Sequence, residues 1–253
     1  MKFENTQVFN FEGALHGMRN PKESWDKSDS ITKCHNQCED CDYKNCLLHF
    51  PIIIGENDMK LAQALIRAGS EHRKFLRQIF VSVDITAPLY WWKEFDTYKV
   101  GTVANSTSTM HKMASKPITL DCFEIDDYDP DLEFRYAILT PDGFDTGWTN
   151  ETIGEIPEDL IDWLEKLRQR YLETKDKRYW KELIRWLPES WLQTRTVTMT
   201  YENLFAMCSK GQRRFHKLNE WSGQDNPLLS NFISWARTLP YAQEFIFIDE
   251  VID

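Results

Sequence analysis

Residues 87–112, APLYWWKEFDTYKVGTVANSTSTMHK, carry the reading of this chain. Just ahead of them Ile79, Val81, Val83 and Ile85 alternate with Phe80, Ser82, Asp84 and Thr86, the period of two that a strand with one buried face requires. Pro88 has no N–H to continue a ladder, so the strand ends there. From Leu89 to Lys99 the aromatics Tyr90, Trp91, Phe95 and Tyr98 recur at near-helical spacing, while Lys93, Glu94, Asp96 and Lys99 supply charge. The spacing predicts a short helix stopped by Gly101. A hydroxyl-rich loop then follows, with Thr102, Asn105, Ser106, Thr107, Ser108 and Thr109 suited to hydrogen-bonding a polar ligand.

Toward the N-terminus, residues 13–30 are polar, broken by Pro21 and rich in turn formers, which predicts a surface loop. Arg19, Asn20 and Trp25 in it would offer a cation, an amide and a stacking face to a ligand if the loop folded over a site. Next come Cys34, Cys38, Cys41 and Cys46, spaced C-x3-C-x2-C-x4-C, with His35 and His49 nearby. In a reducing compartment four clustered thiols read as metal ligands, with zinc in a closed, structural site as the leading expectation. The first three also match the C-x3-C-x2-C of radical-SAM iron–sulfur enzymes, but the chain lacks that family's barrel of repeated strand–helix units. A helix is expected from Asn57, capped by Asn57 or Asp58, with Leu61, Ala62, Leu65 and Ile66 on one face and Gly69 as its stop. His72, just beyond, receives no role.

Toward the C-terminus, residues 134–140 and the turn Pro141-Asp142-Gly143 predict a hairpin, preceded by an acidic segment, 124–131, that reads as a solvated face. Pro157 opens an amphipathic helix with Leu160, Trp163, Leu164, Leu167 and Tyr171 on its apolar stripe. A second helix carries Tyr179, Trp180, Leu183, Ile184 and Leu187 and closes at Pro188. After Tyr201, Lys210, Arg213, Arg214 and Lys217 recur at i, i+3, i+4 and i+7, a basic stripe on one face if a helix continues through Gly211.

A chain of 253 residues with 42% hydrophobic content can bury a large core in one domain or two. Its net charge of −10 argues against binding a nucleic-acid polymer, while leaving room for a local basic cleft around a small anion. No apolar run approaches the roughly 20 residues needed to span a bilayer, and MKFENTQVFNFEG has no basic-then-apolar leader pattern, so a cytoplasmic protein without membrane contact is expected. Its 10 Trp and 15 Phe would fill a core or an oligomer interface.

The stretch at 87–112 resembles the signature of the flavin-dependent thymidylate synthases. There a strand ends in Ala-Pro and leads through an aromatic helix to Arg-His-Arg, a Ser, an Asn-Glu pair and Ser-x-Arg-Tyr. Ala87-Pro88 anchors the match. Thr97, Tyr98 and Lys99 fall at the Arg-His-Arg positions and Thr102 at the serine; Asn105-Ser106 and Ser108-Thr109-Met110-His111 follow after one inserted residue. Further on, Leu187-Pro188, Thr198, Leu204 and Ala242-Gln243-Glu244-Phe245-Ile246 match the family's later motifs, while Glu202 stands where it carries a nucleotide-binding arginine. The resemblance implies an α+β fold, a twisted sheet with long helices, in residues 57–253. Residues 1–56 would form a loop-rich, Cys-rich N-terminal insertion.

It also implies a homo-oligomer, dimer or tetramer, whose sites lie at subunit junctions. The ligand-binding residues would be Tyr90, Trp91, Lys93, Tyr98, Lys99, Thr102, Asn105, Ser106, Ser108 and His111, with Lys210, Arg213 and Arg214 as compensating cations. Trp91, Trp92 and Tyr98 would stack a base. Because a guanidinium fork is lost at several phosphate contacts together, the expectation is a diverged pseudoenzyme that binds a nucleotide or similar phosphorylated ligand, to sense or sequester it. The alternative is an active flavin-dependent methyltransferase on a pyrimidine nucleotide, and only that alternative calls for FAD.

Overall fold

The computed structural model describes residues 1–31, 52–139, 145–153, 155–208 and 213–250. Along the chain run β1 (Lys2–Phe9), α1 (Phe11–Arg19), α2 (Glu56–Arg67), β2 (Phe80–Pro88), α3 (Leu89–Tyr98), β3 (Val103–Ser106), α4 (Thr109–Lys112), β4 (Glu133–Leu139) and β5 (Asp145–Thr152). They are followed by α5 (Glu155–Thr174), α6 (Lys177–Arg185), β6 (Leu192–Thr200), α7 (Tyr201–Met207), α8 (Asn219–Ser222), α9 (Phe232–Arg237) and α10 (Ala242–Phe245). The chain forms two units, one of Met1–Ile85, Lys93–Asn105 and Arg195–Asp253, the other of Thr86–Trp92 and Ser106–Thr194. β1 is a strand of the four-stranded sheet.

The sheet has the order β1-β2-β6-β3, and β4 pairs with β5 in a separate antiparallel hairpin with Glu133 opposite Thr152 and Tyr136 opposite Thr149. The hairpin matches the sequence pattern; its expected turn, 141–143, lies outside the described residues. In β2 the alternation does what it predicts: Val81, Val83 and Ile85 are fully buried. On the opposite face the Asp84 carboxylate accepts hydrogen bonds from Asn5 of β1 (2.7 Å) and Thr196 of β6 (2.5 Å), a polar cross-strand row.

In the first unit, residues 11–19 form a helix where the sequence suggested a loop. Phe11, Ala14, Leu15 and Met18 are buried at i, i+3, i+4 and i+7, so one apolar stripe outweighs two glycines. Gly17 allows a close approach: a Cβ there would lie 2.7 Å from the Gln78 Oε1. Two 3-10 turns, Asn20–Lys22 and Trp25–Lys27, complete the segment. α2 starts one residue before Asn57, and its cap comes from elsewhere in the chain: the Asp29 carboxylate accepts from the Asn57 and Asp58 amides at 2.9 and 3.1 Å. Gly69, at φ +108, ends the α2 segment as expected.

α7 opens on a capping box between Thr200 and Asn203 and stops at Met207. Residues 213–217 are not helical, so Arg213, Arg214 and Lys217 do not share a helix face; Lys210 lies outside the described residues.

In the second unit α5 and α6 form where their sequence patterns place them, though Trp163, expected on the buried stripe of α5, is exposed. Leu164 and Leu183 are fully buried with Met113, Ile118 and Phe123, and Leu160, Leu167, Ile184 and Leu187 pack around them. At about 1.5–3 kcal/mol per large apolar side chain, this cluster contributes substantially to the unit's stability. Asp176 caps α6 by accepting from the Arg178 amide. Of the residues expected to form a loop at 102–109, Val103–Ser106 is β3 and Thr109 opens α4, whose N-cap Ser108 accepts from the His111 amide at 3.2 Å. Val103–Ser106 is exposed on both faces and so lacks the alternation that marks β2.

Candidate functional site

α3 delivers Glu94 and Tyr98 on one face, four residues apart, as the aromatic spacing predicted. The Tyr98 hydroxyl hydrogen-bonds to Glu94, which together with burial raises its pKa, so it stays a donor rather than a base. The Arg213 guanidinium lies over the Tyr98 ring at 4.5 Å and donates to the Ala206 carbonyl at 2.8 Å. His216 Nε2 sits 3.2 Å from Glu94 Oε1, and Trp221 packs edge-on against Tyr98 at 5.6 Å. Arg213 is thus brought to the signature helix.

Lys99, Arg195 and Arg214 are paired with carboxylates. Lys99 pairs with Asp96 at 3.0 Å, and Arg195 with the same carboxylate at 3.3 Å; burial presses the Arg195 guanidinium below its ordinary pKa while Asp96 works against it. Arg214 is 5% exposed and bridges Asp249 (2.5 Å) and Glu250 (2.9 Å), with Phe247 beneath it. It holds the C-terminal segment. Glu202 accepts from Arg73 at 2.9 Å with Arg77 at 3.9 Å, a carboxylate neutralised by its own neighbours.

The remaining signature residues are divided between the two units. Lys93 and Asn105 are exposed, and the Thr102 hydroxyl donates to the Lys99 carbonyl at 2.9 Å. In the second unit Tyr90 is half-buried with its amide donating to the Glu189 carbonyl, Ser106 and His111 are exposed, and Ser108 is taken up in capping α4. Trp91 and Trp92 are buried edge-to-face against each other at 5.0 Å, so both indoles belong to the core and neither face is open to a base. Cys34, Cys38, Cys41 and Cys46 lie outside the described residues; among those described, no group of three or more His, Cys, Asp or Glu is placed to hold a metal.

A site that the sequence did not reveal lies wholly within the first unit. A cleft of about 1000 Å³ opens between α1, the turns after it, α2 and residues 71–78. Its floor is apolar, with Met18, Leu61, Leu65 and Phe75. Lys22, Lys27 and Lys74 stand at its wall with His72, against a single acid, Glu71. In an acidic protein that is a local reversal of charge. Its residues come from three segments with no common period, and the only sequence hint is that residues 13–30 could fold over a ligand.

No protein-family model matches the sequence. No curated protein matches it either. The fold, however, defines the class: a mixed α/β chain with the architecture of the flavin-dependent thymidylate synthases. It superposes on ThyX from Helicobacter pylori complexed with FAD and dUMP with a TM-score of 0.58 and 12% identity, over 98% of this chain and 99% of that one. A second structure of the Helicobacter pylori enzyme, also with FAD and dUMP, gives 0.59 and 13% over 98% of each chain. Among the described residues no helix is long and apolar enough to cross a membrane.

Proposed function

We propose that this protein binds a nucleotide or a related phosphorylated ligand and does not carry out the methylation reaction, so that it senses or sequesters what it binds. The observation that carries the reading is the cleft: about 1000 Å³ of concavity with an apolar floor for a planar group and Lys22, Lys27 and Lys74 for a phosphate. The structural neighbours bound to dUMP and FAD support the ligand class. Tyr98, Lys99, Thr102, Asn105 and Arg213 are proposed to contribute from the signature helix and the residues after it, with further signature positions completing the site in a dimer or tetramer. Against methylation stand Thr97, Tyr98 and Lys99 at the family's Arg-His-Arg positions and Glu202 at its nucleotide-binding arginine, the last already paired with Arg73.

The test is calorimetry against a panel of pyrimidine and purine nucleotides. Micromolar binding that weakens with salt is expected. With each charge-assisted hydrogen bond worth about 1.5–3 kcal/mol, Lys22→Ala/Lys27→Ala should weaken it at least about tenfold, and Lys99→Ala and Arg213→Ala should weaken it too. Affinity unmoved by all of these refutes the placement. Thymidylate formation from dUMP with flavin, NADPH and methylene-tetrahydrofolate would establish the active enzyme instead.

A further inference from the structure

Arg19 is the least expected residue of the cleft, a cation 4% exposed inside the first unit. Its Nε donates to Asp58 Oδ1 at 2.5 Å, Nη1 to the Ser24 carbonyl at 3.1 Å and Nη2 to the Lys27 carbonyl at 3.1 Å. Asp58, fully buried, spends its other oxygen on the hydroxyls of Ser28 (2.6 Å) and Ser30 (2.5 Å). A buried ion pair is costly unless its remaining hydrogen-bonding capacity is filled, and here one guanidinium and one carboxylate fill theirs with the same chain segment. That segment, residues 20–30, carries Lys22 and Lys27.

We infer that Arg19 is the positioning residue of this cleft: its guanidinium fork, anchored on Asp58, holds the Ser24 and Lys27 carbonyls and so fixes the wall that presents Lys22 and Lys27 to a phosphorylated ligand. The ligand half of this statement rests on the function proposed above; the tether does not. A guanidinium presents donors on three separate nitrogens in a fixed plane, a spread that a single ammonium nitrogen cannot span. A lysine keeps the charge opposite Asp58 and loses the grip on the carbonyls. The far end of the segment remains fastened by Ser28, Ser30 and the Asp29 cap on α2, so loosening Arg19 should free the middle of the wall without unfolding the unit.

Two measurements on the full chain test this. In the ligand-free protein, Arg19→Lys should accelerate hydrogen exchange at the Ser24, Lys27 and Ser28 amides at least tenfold while α2 stays protected; unchanged exchange overturns the inference whether or not any ligand binds. With inorganic pyrophosphate as probe, Arg19→Lys should weaken binding and lower its salt dependence in the wild type, yet add little in a Lys22→Ala/Lys27→Ala background, since Arg19 acts through those lysines. Fully additive losses would show a general structural role and sink it. Should Arg19→Lys fail to fold, the wild type decides: pyrophosphate should slow exchange at the same three amides, and no slowing overturns the inference. A wild type that binds neither pyrophosphate nor any nucleotide overturns the proposed function, and the ligand-free exchange then still judges the tether.

Discussion

Glu165→Gln in α5 should cost the protein far more than an exposed helix pair would, and only above a definable pH. Glu165 receives two parallel hydrogen bonds from Arg168, at 2.6 and 2.7 Å, and a third from the Ile118 amide at 2.9 Å; Arg168 in turn donates to the Ala114 carbonyl at 3.2 Å. The group therefore ties α5 to residues 114–118 of the second unit. The Arg168 hydrogen bonds, partly opposed by burial and reinforced by the Ile118 amide, lower the Glu165 carboxyl from its ordinary 4.5 to about 2. At about 1.4 kcal/mol per pKa unit, that drop corresponds to roughly 3 kcal/mol of stability carried by the charged form. An ordinary exposed i,i+3 pair would give only about 0.3–0.5 kcal/mol. Because the folded-state pKa is the depressed one, the contribution is complete above about pH 5, falls to under about half by pH 3 and vanishes below about pH 2. Urea unfolding of wild type and Glu165→Gln at several pH values reads this as a gap of about 2–3 kcal/mol at pH 7 that narrows on acidification. A gap below about 0.5 kcal/mol at pH 7, or one equal at pH 7 and pH 3, would refute the reasoning.

Cys34, Cys38, Cys41 and Cys46 are expected to hold one zinc, since thiolates so close in sequence repel without a cation; metal analysis of protein purified under reducing conditions should find near one equivalent, and less than about a tenth would end the idea. The chain is expected to form a dimer or tetramer, and light scattering that gives a 30.0 kDa particle at micromolar concentration would contradict this.

The sequence alone determined the elements whose signal is periodic and local. β2 was legible because Ile79, Val81, Val83 and Ile85 alternate, Pro88 ends it, and α3, α5 and α6 follow from apolar spacing. The thymidylate synthase architecture was legible from Ala87-Pro88 and the aromatic helix behind it. α1 was not, although its stripe Phe11, Ala14, Leu15 and Met18 is present: Gly13, Gly17 and Pro21 read as breakers until the burial of that stripe overrode them. Arg213, Arg214 and Lys217 misled in the opposite way, since helical spacing of charges implies a shared face only where a helix exists.

The long-range charge partners were decided by tertiary structure alone. Arg19 meets Asp58 across 39 residues and Arg73 meets Glu202 across 129, distances along the chain that no local pattern encodes. The cleft has the same origin. Lys22, Lys27, Lys74 and the apolar floor become one site only when α1, α2 and the segment before β2 pack together, because concavity and local potential belong to the packed surface and not to any stretch of sequence.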